Sequence, residues 1–282
     1  MLTSPGSQLR WNRLRGKELA DWGRDAASLT LLLVLTASSG LLGQVPDPPP
    51  ANSQPEPERT ASWTKLVPNT LSDQKQIWTF PLKLGRGKHW IPAAAIVGAT
   101  AGLVALDPKT APYFRRTSSF DGFNHAFSGK ATSIGMIVAP VSFYAAGLIR
   151  KDSKMQSTAL LAGEAVVNAE ILTTVMKDID RRLRPAVIDP HGDFSDTWFQ
   201  DHTRNFRSNG SFPSGHAIAA FSVATVFARR YGRQHRWVPY VAYGSAALVG
   251  FSRVSVSSHF VSDVFMGGAL GYSISRFVVL RQ

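Results

Sequence analysis

The sequence predicts an all-α protein built around a bundle of about six core helices. Two observations carry this. Six apolar segments, Trp90–Leu106, Ile134–Ile149, Thr158–Met176, Ala217–Ala228, Val238–Phe251 and Phe260–Leu280, follow one another along the chain. They are rich in Ala, Leu and Gly and lack the strict alternation of half-buried strands. No internal repeat is visible.

The chain opens differently. Arg10, Arg13, Arg15, Lys17 and Arg24 precede an apolar run from Leu29 to Leu35, and Ala37, Ser38, Ser39 and Gly40 follow it. A basic stretch, a short apolar stretch and small residues form a secretory leader pattern, so residues 1–43 are expected to be a signal peptide or an amino-terminal membrane anchor. Residues 44–77 are expected to be a Pro-rich linker, because Val45–Pro57 is crowded with Pro, Asp, Glu, Asn and Ser and cannot build a core. Residues 78–282 are expected to form the functional domain.

Composition bounds the chemistry. The 282 residues include no Cys, which excludes a disulfide scaffold, a thiolate nucleophile and a cysteine-ligated metal. Charged residues make up 18%, below the quarter usual for a soluble domain, so much of the surface is either buried or meets lipid. A net charge of +12 suits anionic partners. The basic residues are dispersed and no nucleic-acid-binding signature occurs, so nucleic acid is not expected among them.

Membrane topology admits two readings. Most apolar runs are shorter than the ~20 residues a spanning helix needs, and the third carries Glu164, Asn168 and Glu170. This favours an exported helical domain lying at the membrane. Against it, alternate connections collect Lys83, Arg86 and Lys88, then Arg150, Lys151 and Lys154, then Arg229, Arg230, Arg233 and Arg236. That is the positive-inside pattern of a six-span bundle.

Three clusters have the composition of a phosphate site. In the first, Lys177 and Arg184 are two helical turns apart, and Pro185 should stop the helix and leave Arg184 at a rim. An Arg fork and a Lys point charge suit a phosphoryl group, although a solvated basic helix end has the same composition. In the second, Pro213-Ser214-Gly215-His216 precedes an apolar helix. Ser214 sits at the N-cap, Gly215 permits close approach, and the helix start offers unpaired N–H groups beside His216. An ordinary cap followed by a structural His would look alike. In the third, Ser252-Arg253 is followed by His259 and Asp263, four apart on one helix face. An Asp accepting the imidazole Nδ1–H would leave Nε2 free as a nucleophile. A structural His–Asp pair or a corner of a metal site is the alternative, and no HExxH or dense carboxylate cluster supplies further ligands.

Together and in this order, the clusters resemble the type 2 phosphatidic acid phosphatase (PAP2) family and its relatives, the bacterial non-specific acid phosphatases and vanadium haloperoxidases. The family pattern is Lys-x6-Arg-Pro, then Pro-Ser-Gly-His, then Ser-Arg-x5-His-x3-Asp, and the chain satisfies it without a substitution. The resemblance runs from the third helix to the carboxyl end. It implies an active site between helix ends and a metal-independent phosphomonoester hydrolase of the cell envelope, on the periplasmic side, acting on a lipid phosphate or diphosphate. It implies His259 as the nucleophile, Asp263 as its orienting partner and His216 as general acid and base. Lys177, Arg184, Ser214, Gly215 and Arg253 would bind the phosphate. No cofactor is expected. A vanadate-dependent haloperoxidase, for which vanadate would be the cofactor rather than an inhibitor, and a soluble acid phosphatase are the alternatives. The segment between Pro185 and Phe212, with Trp198, Phe199, His202 and Phe206, is the expected place for substrate selection, although its aromatics could equally be local packing.

Overall fold

The computed structural model describes residues 59, 61–87, 89–201 and 210–281. The leader or anchor expected over 1–43, the linker as far as residue 58, and His202 and Phe206 lie outside the described residues. Among the described residues every regular element is helical. Nine α-helices follow in order: α1 (Leu66–Trp78), α2 (Phe80–Gly85), α3 (Trp90–Arg116), α4 (Asp121–Ala126), α5 (Gly129–Ile149), α6 (Ser153–Asp180), α7 (Gly215–Tyr231), α8 (Val238–Ser255) and α9 (Val261–Ile274). The six expected core helices are α3 and α5–α9. The last one gives way to a π turn at Ser275–Val279 rather than running on to Leu280 as an α-helix.

Helix α7 is the hub, packed against α5, α6, α8 and α9. Its Ala220, Ala224 and Ala228 are buried with Tyr243 and Ala246 of α8. Its Ile218 and Val226 are buried with Leu161, Ala162, Ala165 and Ala169 of α6. Small residues let these helices approach closely, and α9 takes this furthest. A Cβ on Gly271 would lie 2.3 Å from the Ile218 carbonyl oxygen, and one on Gly267 would lie 2.7 Å from that of Ser214. These glycines, four apart, form the small-residue seam that backbone-on-backbone packing requires.

The sequence places the α3 boundary ten residues too early. The apolar run ends at Leu106, yet the helix continues to Arg116 because Ala111 and Phe114 are core residues and Asp107 is itself fully buried. The linker boundary at 77 is also misplaced. A 3-10 turn at Trp63–Lys65 and α1 fall inside that segment, and α1 packs on α6. The buried face of α1 is polar, which hides it from apolar periodicity. Arg59 pairs with Asp73 at 3.0 Å and with Glu164 at 2.8 Å, Gln74 donates to Asn168 Oδ1 at 2.9 Å, and Asn168 donates to Asp73 at 3.0 Å.

Two ends of the bundle differ in chemistry. At one, the starts of α3, α6 and α8 and the ends of α5 and α7 carry Arg150, Lys151, Lys154, Arg229, Arg233 and Arg236, with Trp90 and Trp237 exposed. At the other, the end of α6 and the starts of α5, α7 and α9 come together with the end of α8. Helices α3, α5 and α6, of 27, 21 and 28 residues, are long and apolar enough to cross a membrane. The α3 and α5 surfaces expose Val97, Ile134, Ile137, Val138 and Val141.

Gly271→Ala should drive α9 away from α7 and cost about 1–3 kcal/mol of stability. A thermal-unfolding scan in detergent would show the lowered midpoint; an unchanged midpoint would contradict the close approach.

Candidate active site

The polypeptide leaves α6 earlier than Pro185 alone would dictate. The helix ends at Asp180, and Arg181 closes it in the left-handed conformation, φ 44° and ψ 39°. Residues 182–184 then run extended, pinned by Leu183 N–H to the Thr197 carbonyl at 2.8 Å and by Ser211 N–H to the Arg182 carbonyl at 2.8 Å. Lys177 and Arg184 therefore do not share a helix face as their spacing suggests. Arg184 caps the turn Pro185–Val187 in extended geometry, the conformation a following proline favours. The two cations still lie within electrostatic reach of each other.

Ser214 is the N-cap of α7, as expected. Its hydroxyl accepts from Ala217 N–H at 3.4 Å, and its own N–H donates to the Asp263 carbonyl at 3.0 Å. The N–H groups of Gly215 and His216 have no acceptor among the described residues, which leaves an anion seat at this helix start. His216 Nε2 lies 3.0 Å from Ser133 Oγ and 3.3 Å from the Gly129 carbonyl, both in the first turns of α5. Arg253 at the end of α8 is buried and donates to the Phe127 carbonyl, just before α5, and to Ser252 Oγ at 2.9 Å.

His259 sits in the turn between α8 and α9, buried to 3% exposure. Its Nδ1 is 2.7 Å from the Ser211 carbonyl and 3.6 Å from Asp263 Oδ2. The direct acceptor of the Nδ1–H is thus a main-chain oxygen, and Asp263 stands behind it. The consequence for the ring is the one expected of a carboxylate partner, since a proton held on Nδ1 leaves the Nε2 lone pair available. Asp263 occupies the N3 position of α9 and accepts from Phe260 N–H at 2.8 Å, Ser211 Oγ at 2.5 Å and Arg182 Nη1 at 2.6 Å. Burial holds the imidazole pKa well below its ordinary value, at about 4; Asp263 opposes this, and Lys177 and Arg184 add to it. Lys177, Arg184 and Arg253 are also within electrostatic reach of His216. The three clusters thus converge on one end of the bundle, with Lys177 and Arg184 within electrostatic reach of both imidazoles.

Spacing alone missed the group that holds this end together. Arg182 is 1% exposed, and its guanidinium pairs with Asp263 at 2.6 Å and Asp107 at 2.7 Å. It also donates to Ser262 Oγ at 2.8 Å and Thr197 Oγ1 at 3.2 Å. Trp198 and Phe260 cover it, with ring centroids 4.5 and 4.0 Å away. Trp198 therefore packs the site from behind instead of presenting a face for substrate selection. The signal in the sequence was an Arg-x-Arg-Pro run in which only the second Arg was read.

Residues 158–282 match the PAP2 superfamily. That span holds every residue of the three clusters and leaves α1–α5 outside. The chain is 41% identical over 66 residues to a lipid A 1-phosphatase of Porphyromonas gingivalis, covering 23% of this chain and 15% of that one. It is 34% identical over 107 residues to a lipid A 1-phosphatase of Rhizobium etli, covering 38% and 42%. The chain thus spans less than half the length of either relative. A solved PAP2-type phosphatidylglycerolphosphate phosphatase of Bacillus subtilis aligns over 76% of this chain and 92% of that one, at 22% identity and a TM-score of 0.37.

Arg182→Ala should strand Asp107 and Asp263 as uncompensated buried charges and cost about 3–5 kcal/mol. Thermal unfolding in detergent measures this, and a midpoint within a degree or two of the parent would show that the ion pairs are not formed.

Proposed function

We propose that the protein is a metal-independent phosphatase that removes phosphate from a lipid phosphomonoester, of the class that lipid A represents, through a phosphohistidine. The observation that carries this is the His259 imidazole, anchored at Nδ1 by the Ser211 carbonyl and gathered with Lys177 and Arg184 beside the open N–H groups of α7. The names of the PAP2 relatives favour lipid A over a soluble ester.

The His259 Nε2 lone pair attacks phosphorus in line, and the P–O ester bond breaks. The leaving alkoxide takes its proton from His216. The ring carries positive charge in the phosphohistidine, and Asp263 stabilises it. His216, now neutral, takes a proton from water, and that water attacks phosphorus, breaks the P–N bond and releases inorganic phosphate. Lys177, Arg184 and Arg253, with Ser214 and the N–H groups of Gly215 and His216, hold the equatorial oxygens. Phosphoryl transfer asks chiefly for positioning and charge stabilisation, which these cations supply without a divalent metal.

The same reading orients the molecule. The catalytic end lies opposite the basic, Trp-bearing end, and cationic loops are retained on the cytoplasmic face. With α3, α5 and α6 crossing the bilayer, the site faces the periplasmic side, where a lipid phosphate is presented at the headgroup level.

His259→Ala should abolish phosphate release from a lipid phosphate in EDTA while the protein keeps its helical circular-dichroism spectrum; substantial turnover by that variant removes the nucleophile. His216→Ala should slow an alkyl phosphate far more than p-nitrophenyl phosphate, whose leaving group needs no proton. Because the nucleophile must be neutral and its pKa lies at about 4, the His259 ring should stay unprotonated through mild acid and titrate only as the pH drops towards 4. An NMR titration of the ring checks this, and a His259 midpoint near 6.5, the value of an ordinary histidine, would contradict the buried ring.

A further inference from the structure

Asp107 takes no part in the three clusters and lies on α3, outside residues 158–282 that carry the family match. It is nevertheless fully buried at the catalytic end. Its Oδ2 accepts from Arg182 Nη2 at 2.7 Å and from the Ser262 hydroxyl, and its Oδ1 accepts from Ser262 N–H at 3.3 Å. The same guanidinium gives its Nη1 to Asp263 at 2.6 Å. One cation is thus shared between two carboxylates; with both ionised the trio carries one net negative charge, and its Asp263 stands 3.6 Å from His259 Nδ1.

That excess charge is not what packing requires. Leu103 and Phe114 already dock α3 against Val261 and Val264 of α9 through an apolar cluster. Burying three charges where apolar side chains would serve is costly, so their arrangement calls for another reason. Arithmetic supplies it. Were Arg182 paired with Asp263 alone, that pair would be neutral and would offer little to a positively charged ring. With Asp107 drawing on the same guanidinium, Asp263 keeps an unshared part of its charge for the imidazole. The ring is uncharged before attack and positive in the phosphohistidine, so the excess anion favours the covalent state over the free one.

We propose that Asp107 is a positioning residue of the phosphoryl-transfer site: by sharing Arg182 it preserves the negative charge of Asp263 that stabilises the His259 adduct. This rests on His259 acting as the nucleophile, and the test separates the two.

Vanadate is the probe, because it takes an axial bond from a nucleophilic nitrogen and so reports the adduct independently of substrate. Inorganic phosphate reports the anion seat without that bond. Both affinities are measured on the full chain in detergent, alongside kcat and KM for a lipid phosphomonoester. Asp107→Asn, which keeps the shape and a hydrogen-bond acceptor but removes the charge, should weaken vanadate about tenfold and lower kcat by a similar factor. Phosphate affinity and KM should stay within about twofold. Asp107→Glu should recover most of the loss. Equal vanadate affinity in Asp107→Asn and the parent overturns the proposal, as does equal behaviour of the Asn and Glu variants. If Asp107→Asn does not fold, Ser262→Ala, which removes the hydroxyl bridging Asp107 and Arg182, should weaken vanadate selectively over phosphate, and no selectivity overturns the proposal. A parent protein that neither binds vanadate nor releases phosphate defeats the phosphatase reading itself, a separate outcome.

Discussion

The end of the bundle where the three clusters meet depends on one buried guanidinium. Arg182 emerges where α6 has stopped and the chain runs extended, and from there it reaches Asp107 on α3 and Asp263 on α9. Three elements distant in sequence are tied by a group that has no access to solvent. The tie is directional, because a planar fork fixes the carboxylates it pairs with far more tightly than a point charge would. Asp263, held from one side by Arg182, is held from the other by Ser211, and Ser211 in turn presents its carbonyl to the His259 ring. The orientation of one imidazole is thus the last link of a chain that begins with an ion pair.

Around this anchor the molecule solves two packing problems by different means. Between α6, α7, α8 and α9 the solution is size, with alanine and glycine letting backbones nearly touch. Between α1 and α6 it is polarity, with Glu164 and Asn168 of the long apolar helix linked to Arg59 and Asp73 by ion pairs and a hydrogen bond. Polar groups at that depth are tolerable because each faces the bundle and finds a partner. The lipid-compatible surfaces of α3 and α5 are left to simple aliphatic side chains.

How much of this was legible in the sequence follows from what each feature depends on. The motif residues could be read because their chemistry is local: Ser214 caps the helix it precedes, Pro185 sets the backbone of Arg184, and Asp263 follows His259 by one turn. The core helices could be read from composition. Asp107 could not, since it lies just past the end of an apolar run and its partner is 75 residues away. Helix α1 was hidden because its one buried residue is Asp73 and the side turned to α6 carries Asn69 and Gln74 as well as Ile77, which breaks the amphipathic pattern. The acceptor of the His259 proton was hidden for a simpler reason: a main-chain carbonyl belongs to no residue type.

The contact of Gly267 with the Ser214 carbonyl has an implication for how faults would show themselves. The helix that carries Asp263 and the helix whose start forms the anion seat meet there with no side chain between them. No side chain separates the two backbones, so the spacing between the open N–H groups of α7 and the helix that follows His259 is set by the width of a hydrogen atom. A methyl group at that point would act as a spacer, pushing Asp263 and the α7 start apart.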